Sequence, residues 1–404
     1  MPFGSRAALV LVPVVVFLLL PGCGASRHKA VPMDLQVDAH LAGFPDGLRY
    51  FPRAPADIQF MEQEFVDSWE REKAFLHTQH LPPTAYLALS GGGDKGAYSA
   101  GFLNGWTQAG ARPEFKLVSG VSTGALIAPF AFLGPAYDKD LRAIYTGVSQ
   151  KDVLAKRFFY SVFLNDAMAD TTPLAKLLQG HVDRSLLDAI AAEYAKGRLL
   201  YIGTTNLDAR RAVVWNVTKI AATRKPEAVD IVRKIMLASA AIPGAFPPVM
   251  FDVEAKGKRY QEMHVDGGAT TQVFVYWAGV KLGDLSKSNG AERDRKIYLL
   301  VNARLDPDWG EVERRTLPIT FKAIDTLLQY QAMGDLYRIH SITRRDGTDF
   351  NLAYIPDEFR VPHTDDFDPA FMKKLYQFGF NQAAAGYTWL KEPPTLVERD
   401  RTAP

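Results

Sequence analysis

The chain has 404 residues, 47% hydrophobic and 23% charged, with 47 Lys+Arg against 45 Asp+Glu and a formal net charge of +2. That mixture excludes a disordered polymer, and the balance of charge removes the broad electrostatic argument for a nucleic-acid partner. With 31 glycines, 25 prolines and no internal repeat, collagen-like and solenoid readings fall away. The single cysteine, Cys23, excludes an internal disulfide and any metal site built on several thiolates.

Arg6 and the terminal amine precede an uninterrupted apolar run, Ala7–Leu20. A bilayer span needs about 20 residues, so a run this short fits a secretory signal better. It closes on Leu20-Pro21-Gly22-Cys23, an ending that resembles a bacterial lipoprotein signal, in which the cysteine is lipidated and becomes the mature N-terminus. A plain secretory signal with an incidental cysteine is the competing reading. The expectation is a signal peptide over 1–22, Cys23 as lipid anchor, and a mature protein held at a membrane of the bacterial envelope, on the periplasmic side and most simply the outer membrane.

Residues 23–83 carry no strand pattern. Pro32, Pro45, Pro52 and Pro55 punctuate the first part, and a charged helical stretch follows around Ile58–His77, so the region reads as a tether plus an N-terminal helix. From 84 to 390 the texture is that of one α/β domain. Tyr86–Ser90 is a short apolar strand, and a helix runs from Ala97 to Ala109, stopped by Gly110. Leu117–Ser119 is the next strand and Ala125–Leu133 the next helix. The middle, from Lys139 to about Gly197, is mainly helical. Strands return at Leu199–Thr204, Ala212–Val217 and Ile297–Asn302. Helices span Ala228–Ala241, Thr316–Thr343 and Pro369–Trp389, before a tail over 391–404.

Two glycine-rich turns join these strands to their helices. Gly91, Gly93 and Gly96 match G-x-G-x-x-G, but a dinucleotide site also wants an acidic residue at the end of the next strand, and that strand ends in Ser119-Gly120. A Walker A loop fails because Ala97 follows Gly96. An oxyanion hole fits better: bare N–H groups at a helix start stabilise negative charge, and Gly91, Gly92 and Gly93 let a substrate oxygen approach the backbone. Lys95 either orients this loop or is a solvated lysine. The second turn, Gly120-x-Ser122-x-Gly124, lifts a serine onto a sharp strand-to-helix bend. A serine nucleophile needs a base. None of the eight histidines has an obvious catalytic context, whereas His264-Val265-Asp266-Gly267-Gly268 reads as a strand ending at a tight turn.

Taken in order, Gly91-Gly92-Gly93-x-Lys95-Gly96, Gly120-x-Ser122-x-Gly124 and Asp266-Gly267-Gly268 resemble the patatin-like phospholipase family. Thr204–Asp208 and the segment Ala238–Pro243 to Phe246-Pro247-Pro248 agree. The resemblance implies a three-layer α/β/α sandwich with a mainly parallel central sheet, and a Ser122–Asp266 dyad that works without histidine, metal or organic cofactor. It also implies lipid acyl esters, phospholipids and lysophospholipids among them, as substrates. An aspartate of ordinary pKa, about 3.9, is a poor base for a hydroxyl, so Asp266 is expected in a water-poor pocket that raises it. The rival arrangement has His264 as base with Asp266 orienting it. Phe158–Leu164 reads as a core helix or an acyl groove, and Arg344-Arg345 as a solvated pair or a headgroup contact. Two other classes stay open: a lipid-binding scaffold that keeps the fold without turnover, and a nucleotide-dependent oxidoreductase.

Overall fold

A computed structural model describes residues 27–156, 167–306, 309–363 and 365–394. The signal segment, Cys23, the Phe158–Leu164 stretch and the end of the tail lie outside the described residues. The strands are β1 (His40–Leu41), β2 (Arg49–Tyr50), β3 (Thr84–Leu89), β4 (Phe115–Val121), β5 (Ala155–Lys156), β6 (Ala169–Asp170), β7 (Leu199–Asn206), β8 (Arg211–Asn216), β9 (Val249–Ala255), β10 (Lys258–Asp266), β11 (Arg295–Val301) and β12 (Asp349–Tyr354). Ten of them form one sheet in the order β1-β9-β10-β7-β4-β3-β11-β12, with β8 on β7 and β2 on β8. β5 and β6 pair separately.

The centre of this sheet, β7-β4-β3-β11-β12, is parallel throughout. Its strands read as near-continuous apolar runs because both faces are covered. Every residue of β4 and β7 is buried. Along β3 the side chains alternate between two cores. Leu87 and Leu89 join Phe102, Ile127, Ile235 and Leu375, from the helices Ala97–Gln108, Thr123–Leu133, Ala228–Ser239 and Pro369–Ala384, on one face. Tyr86 and Ala88 join Met61, Phe65, Trp69, Met333 and Leu336, from the helices Pro55–Leu76 and Thr316–Arg345, on the other. Helices thus flank the sheet on both sides. The remaining pairs, from β7 outward through β10, β9 and β1 and through β8 to β2, are antiparallel.

The stretch expected as a loose tether differs from that expectation. β1 pairs with β9 and β2 with β8, and Leu41, Phe44, Leu48, Tyr50 and Phe51 are buried. Two-residue strands leave no periodic signal, and the prolines that suggested a tether sit between these contacts. The helix that follows starts with Pro55 at its first turn, where proline lacks only an N–H the helix would leave unpaired anyway.

Candidate active site

The parallel strands place their C-terminal ends at one edge of the sheet. β3 delivers Gly91–Gly93 there and β4 delivers Ser122. The turn after β4 is sharp: Ser122 sits at φ 54° and ψ −124°, a region a side chain rarely occupies. Only glycine fits on either side of it. A Cβ on Gly120 would overlap the Gly124 carbonyl, and one on Gly124 would overlap the Leu89 carbonyl. The strained backbone is held from outside. The Ser122 N–H donates to Ser239 Oγ at 2.9 Å, and Ser239 Oγ donates to the Gly203 carbonyl at 2.6 Å. The helix Thr123–Leu133 begins at the next residue, so its positive end faces the Ser122 side chain.

Asp266 closes β10, which pairs antiparallel with β7. Its N–H donates to the Ala241 carbonyl at 2.9 Å, tying it to the Ala238–Pro243 segment. Its carboxylate accepts the Gly268 N–H at 2.6 Å, and the Ser122 hydroxyl is near enough to pull its pKa down. The pocket is nearly dry, with Asp266 and Ser122 each 6% exposed. Burial pushes the carboxyl up to about 6, against the pull of both groups. Gly267 passes so close to Gly203 and Val121 that a Cβ there would meet the Gly203 carbonyl at 2.5 Å.

His264 is elsewhere in its chemistry. It is fully buried, with Nδ1 at 2.9 Å from Thr204 Oγ1 and Nε2 at 3.1 Å from Glu262 Oε2. The ionised Glu262 carboxylate can only accept, so the imidazole proton sits on Nε2 and Nδ1 of the neutral ring accepts the Thr204 hydroxyl, whose oxygen also accepts Trp215 Nε1 at 2.8 Å. Both ring nitrogens are spoken for, and burial lowers the histidine pKa. Among the described residues Asp266 makes no hydrogen bond to His264, whose partners are Thr204 and Glu262.

The glycine loop needs one correction. The Gly91 N–H donates to the Gln272 carbonyl at 3.1 Å, so it is not available to an oxyanion. The Gly92 and Gly93 N–H groups meet no acceptor among the described residues. Both residues have positive φ, 146° and 60°. Gly93 lines the same cavity as Ser122. Lys95 makes no side-chain hydrogen bond or ion pair among the described residues, and Gly96 packs against Thr123 and Tyr145. Gly268 packs against Gln272 and Asp266.

Several supports of this site left no local signal in the sequence. Asn302, just past β11, donates its N–H to Ser90 Oγ at 2.8 Å and its Nδ2 to the Ser90 carbonyl at 3.0 Å. Its side-chain oxygen accepts the Ser99 N–H at 3.2 Å. Asp335 accepts the Gln272 N–H at 2.7 Å, and through Gln272 it supports Gly91. On the far side of the loop, buried Asp94 accepts from His363 Nε2 at 2.7 Å and from the Phe367 N–H at 2.8 Å. The hydrogen bond from Asp94 holds His363 above its ordinary pKa. Phe367 in turn lines the cavity over Ser122, a space of about 50 Å³ walled by Leu126, Ile144, Leu174, Ile242, Phe246 and Met372. That is room for only a few methylene-sized groups. Of the arginine pair, Arg345 bonds Asp346 and the carbonyls of Ala278 and Val280, so its guanidinium is committed within the fold.

The sequence model of the Patatin-like phospholipase family matches residues 87–275. Over that span, a little under half of its length, the chain is similar to the patatin-like phospholipase family. The matched span holds Gly91–Gly96, Ser122, Ser239 and Asp266. No curated protein sequence matches the chain. Among solved structures it is similar to VipD from Legionella pneumophila, 13% identical, covering 75% of this chain and 67% of that one, with a TM-score of 0.34. It is similar to human GIVD cytosolic phospholipase A2, 11% identical, covering 80% and 55%, with a TM-score of 0.32. It is also similar to ExoU of the Pseudomonas aeruginosa type III secretion system, solved with SpcU, 14% identical, covering 76% and 52%, with a TM-score of 0.31. The chain therefore spans about half the length of the last two. In this chain the Ser122 turn comes from the parallel half of the sheet and the Asp266 carboxylate from the antiparallel half.

Proposed function

We propose that this patatin-like domain is a serine acyl hydrolase of lipid esters, of phospholipase A or lysophospholipase type, working through Ser122 and Asp266. One observation carries the reading: Ser122, on its strained turn, and the Asp266 carboxylate are both buried at 6% exposure in one water-poor place, where burial lifts the carboxyl to about 6 and the Ser122 hydroxyl acts on it. That value lets Asp266 be ionised at neutral pH and still accept a proton. Ser122 Oγ attacks the ester carbonyl carbon and passes its proton to Asp266. The carbonyl oxygen, now an oxyanion, rests on the N–H groups of Gly92 and Gly93, each donor contributing about 10²–10³ in rate. Collapse expels the alcohol, which takes the proton from Asp266 and leaves an acyl-serine. Water, deprotonated by Asp266, then releases the fatty acid and restores Ser122. The apolar cavity beside Ser122 receives the start of the acyl chain.

The test is fatty-acid release from mixed-chain phospholipid and lysophospholipid vesicles. The parent is expected to be active, with folded Ser122→Ala and Asp266→Asn variants slower by about 10³-fold or more. A parent inactive on every lipid and short ester would favour the lipid-binding scaffold. We further propose export and tethering through Cys23, so that Cys23→Ser moves the protein from the membrane fraction to the soluble one. Among the described residues no helix is long and apolar enough to cross a membrane.

A further inference from the structure

The helix Thr316–Arg345 is longer than its place in the fold requires. It connects β11 to β12, which are parallel, so it runs back from the site edge of the sheet. Thirty residues make a helix of about 45 Å, whereas seven-residue β11 is about 23 Å long. The excess lies on the site side. Asp335 marks the level of the site, because its carboxylate holds Gln272, which holds Gly91. Among the helix residues whose burial is described, Ala332 is the first buried one. Gln329 is still held by the Asp306 carbonyl at 2.9 Å, and the residues from Thr316 to Leu328 run on beyond it, ending about 28 Å along the helix from Asp335.

The outward face of this projection is apolar where a surface helix is ordinarily polar. Ile319, Leu327 and Tyr330 are 49%, 69% and 61% exposed, and at 100° per residue they share one stripe with exposed Ala323. Lys322 and Asp325 fall off the stripe. The segment before the helix adds Trp309, 91% exposed. A contiguous apolar stripe of this kind marks an interaction surface.

Resting on the lipid-hydrolase reading of the site, we propose that Trp309 and the overhanging half of this helix dock on the interface of a neutral, zwitterionic lipid bilayer. Two observations select that partner over another protein. The stripe lies on the edge from which Ser122 must meet its substrate, and exposed tryptophan and tyrosine with aliphatic residues suit the headgroup–acyl boundary. The charges in the sequence around it, Arg314, Arg315 and Lys322 against Asp306, Asp308, Glu311, Glu313 and Asp325, leave no net positive patch, so nothing selects anionic lipid.

The experiment reads docking apart from turnover. Of the six tryptophans, Trp69, Trp106, Trp215 and Trp277 are buried and Trp389 is half-buried, so Trp309 alone is fully exposed. In the full chain carrying Ser122→Ala, phosphatidylcholine vesicles with brominated acyl chains are expected to quench the emission that Trp309→Phe removes. Leu327→Glu should abolish that quenching. In the chain with Ser122 intact, Leu327→Glu should cut vesicle hydrolysis by about tenfold or more while leaving hydrolysis of a water-soluble short-chain ester unchanged. Unquenched Trp309, or quenching that survives Leu327→Glu, would overturn the proposal. So would a dimer that dissociates on Leu327→Glu without any quenching, which assigns the stripe to a second copy. Loss of ester hydrolysis in the parent would instead strike the catalytic reading and leave the quenching result standing.

Discussion

Two carboxylates four residues apart on β10 have opposite fates. Both are buried, and burial pushes both pKa values up. At Glu262 that push is overruled by Arg49 and His264, and the group falls to about 2. Arg49 grips both Glu262 oxygens, Nη2 at 3.0 Å, and also reaches the Ala39 carbonyl. At Asp266 the partners are a hydroxyl and a backbone N–H, and the group stands at about 6. A buried carboxylate facing a cation is a fixed charge that fastens β10 to β2. A buried carboxylate without one is a base waiting for a proton. The difference between structure and chemistry on this strand is the presence of Arg49 at one end and Ser122 at the other.

The largest effect that can break this comparison is at Asp266. Asp266→Asn should lower turnover by about 10³-fold or more and yet stabilise the fold at high pH. The sign follows from the raised pKa: the cost of the buried charge is absent below the unfolded value near 3.8 and grows as pH rises through about 6. At pH about 8 that cost is on the order of 3 kcal/mol, so the variant's Tm should exceed the parent's by several degrees there and match it at pH about 3. Equal Tm at both would remove the buried-charge account.

Glu262→Gln should do the reverse. Leaving Arg49 uncompensated costs about 3–5 kcal/mol, visible as a lower denaturant midpoint, while the folded fraction keeps its kcat. The Glu262 contribution is present above the unfolded value of 4.5 and is lost only as pH falls toward about 2. A smaller change is expected at Ser239, a positioning residue. Ser239→Ala leaves the buried Ser122 N–H without its acceptor, worth about 1–3 kcal/mol, and should lower kcat by about tenfold or more with KM unchanged. A rise in KM with kcat unchanged would instead assign Ser239 to substrate contact. The smallest effect is at His363. Its bond to Asp94 stabilises fully below the unfolded pKa of 6.5 and fades as pH rises through the raised folded value. His363→Asn should therefore lower Tm by a degree or so at pH about 5.5, where about 1 kcal/mol suffices for a chain of this length, and leave it unchanged near pH 9.

Much of the parallel half was legible in the sequence, because strands covered on both faces are written as apolar runs between glycine turns. Tyr86–Ser90, Leu117–Ser119 and Ile297–Asn302 each fall on a strand of that half. The antiparallel flank was not. β9 carries exposed Asp252 and half-buried Val249, Met250 and Glu254, and β1 and β2 are too short for any period. The turn Lys256-Gly257, with both residues at positive φ, was the one local sign of the β9–β10 hairpin. Within the site, Ser122 and Asp266 announce themselves by their glycine neighbours. Ser239 and Asn302 do not: they reach Ser122 and Ser90 across 117 and 212 residues of chain. The spent N–H of Gly91 depends on Gln272 arriving from the far side, which no reading of the glycine run contains.

The most direct test of the central claim is the pH dependence of kcat/KM on a water-soluble short-chain ester, measured for the parent and for His264→Gln. If Asp266 is the base, the parent's ascending limb has its midpoint at pH about 6, and folded His264→Gln keeps that limb with most of its rate. An ascending limb near pH 7 that disappears in His264→Gln, with Asp266→Asn still turning over, would contradict the dyad and return the base to the histidine.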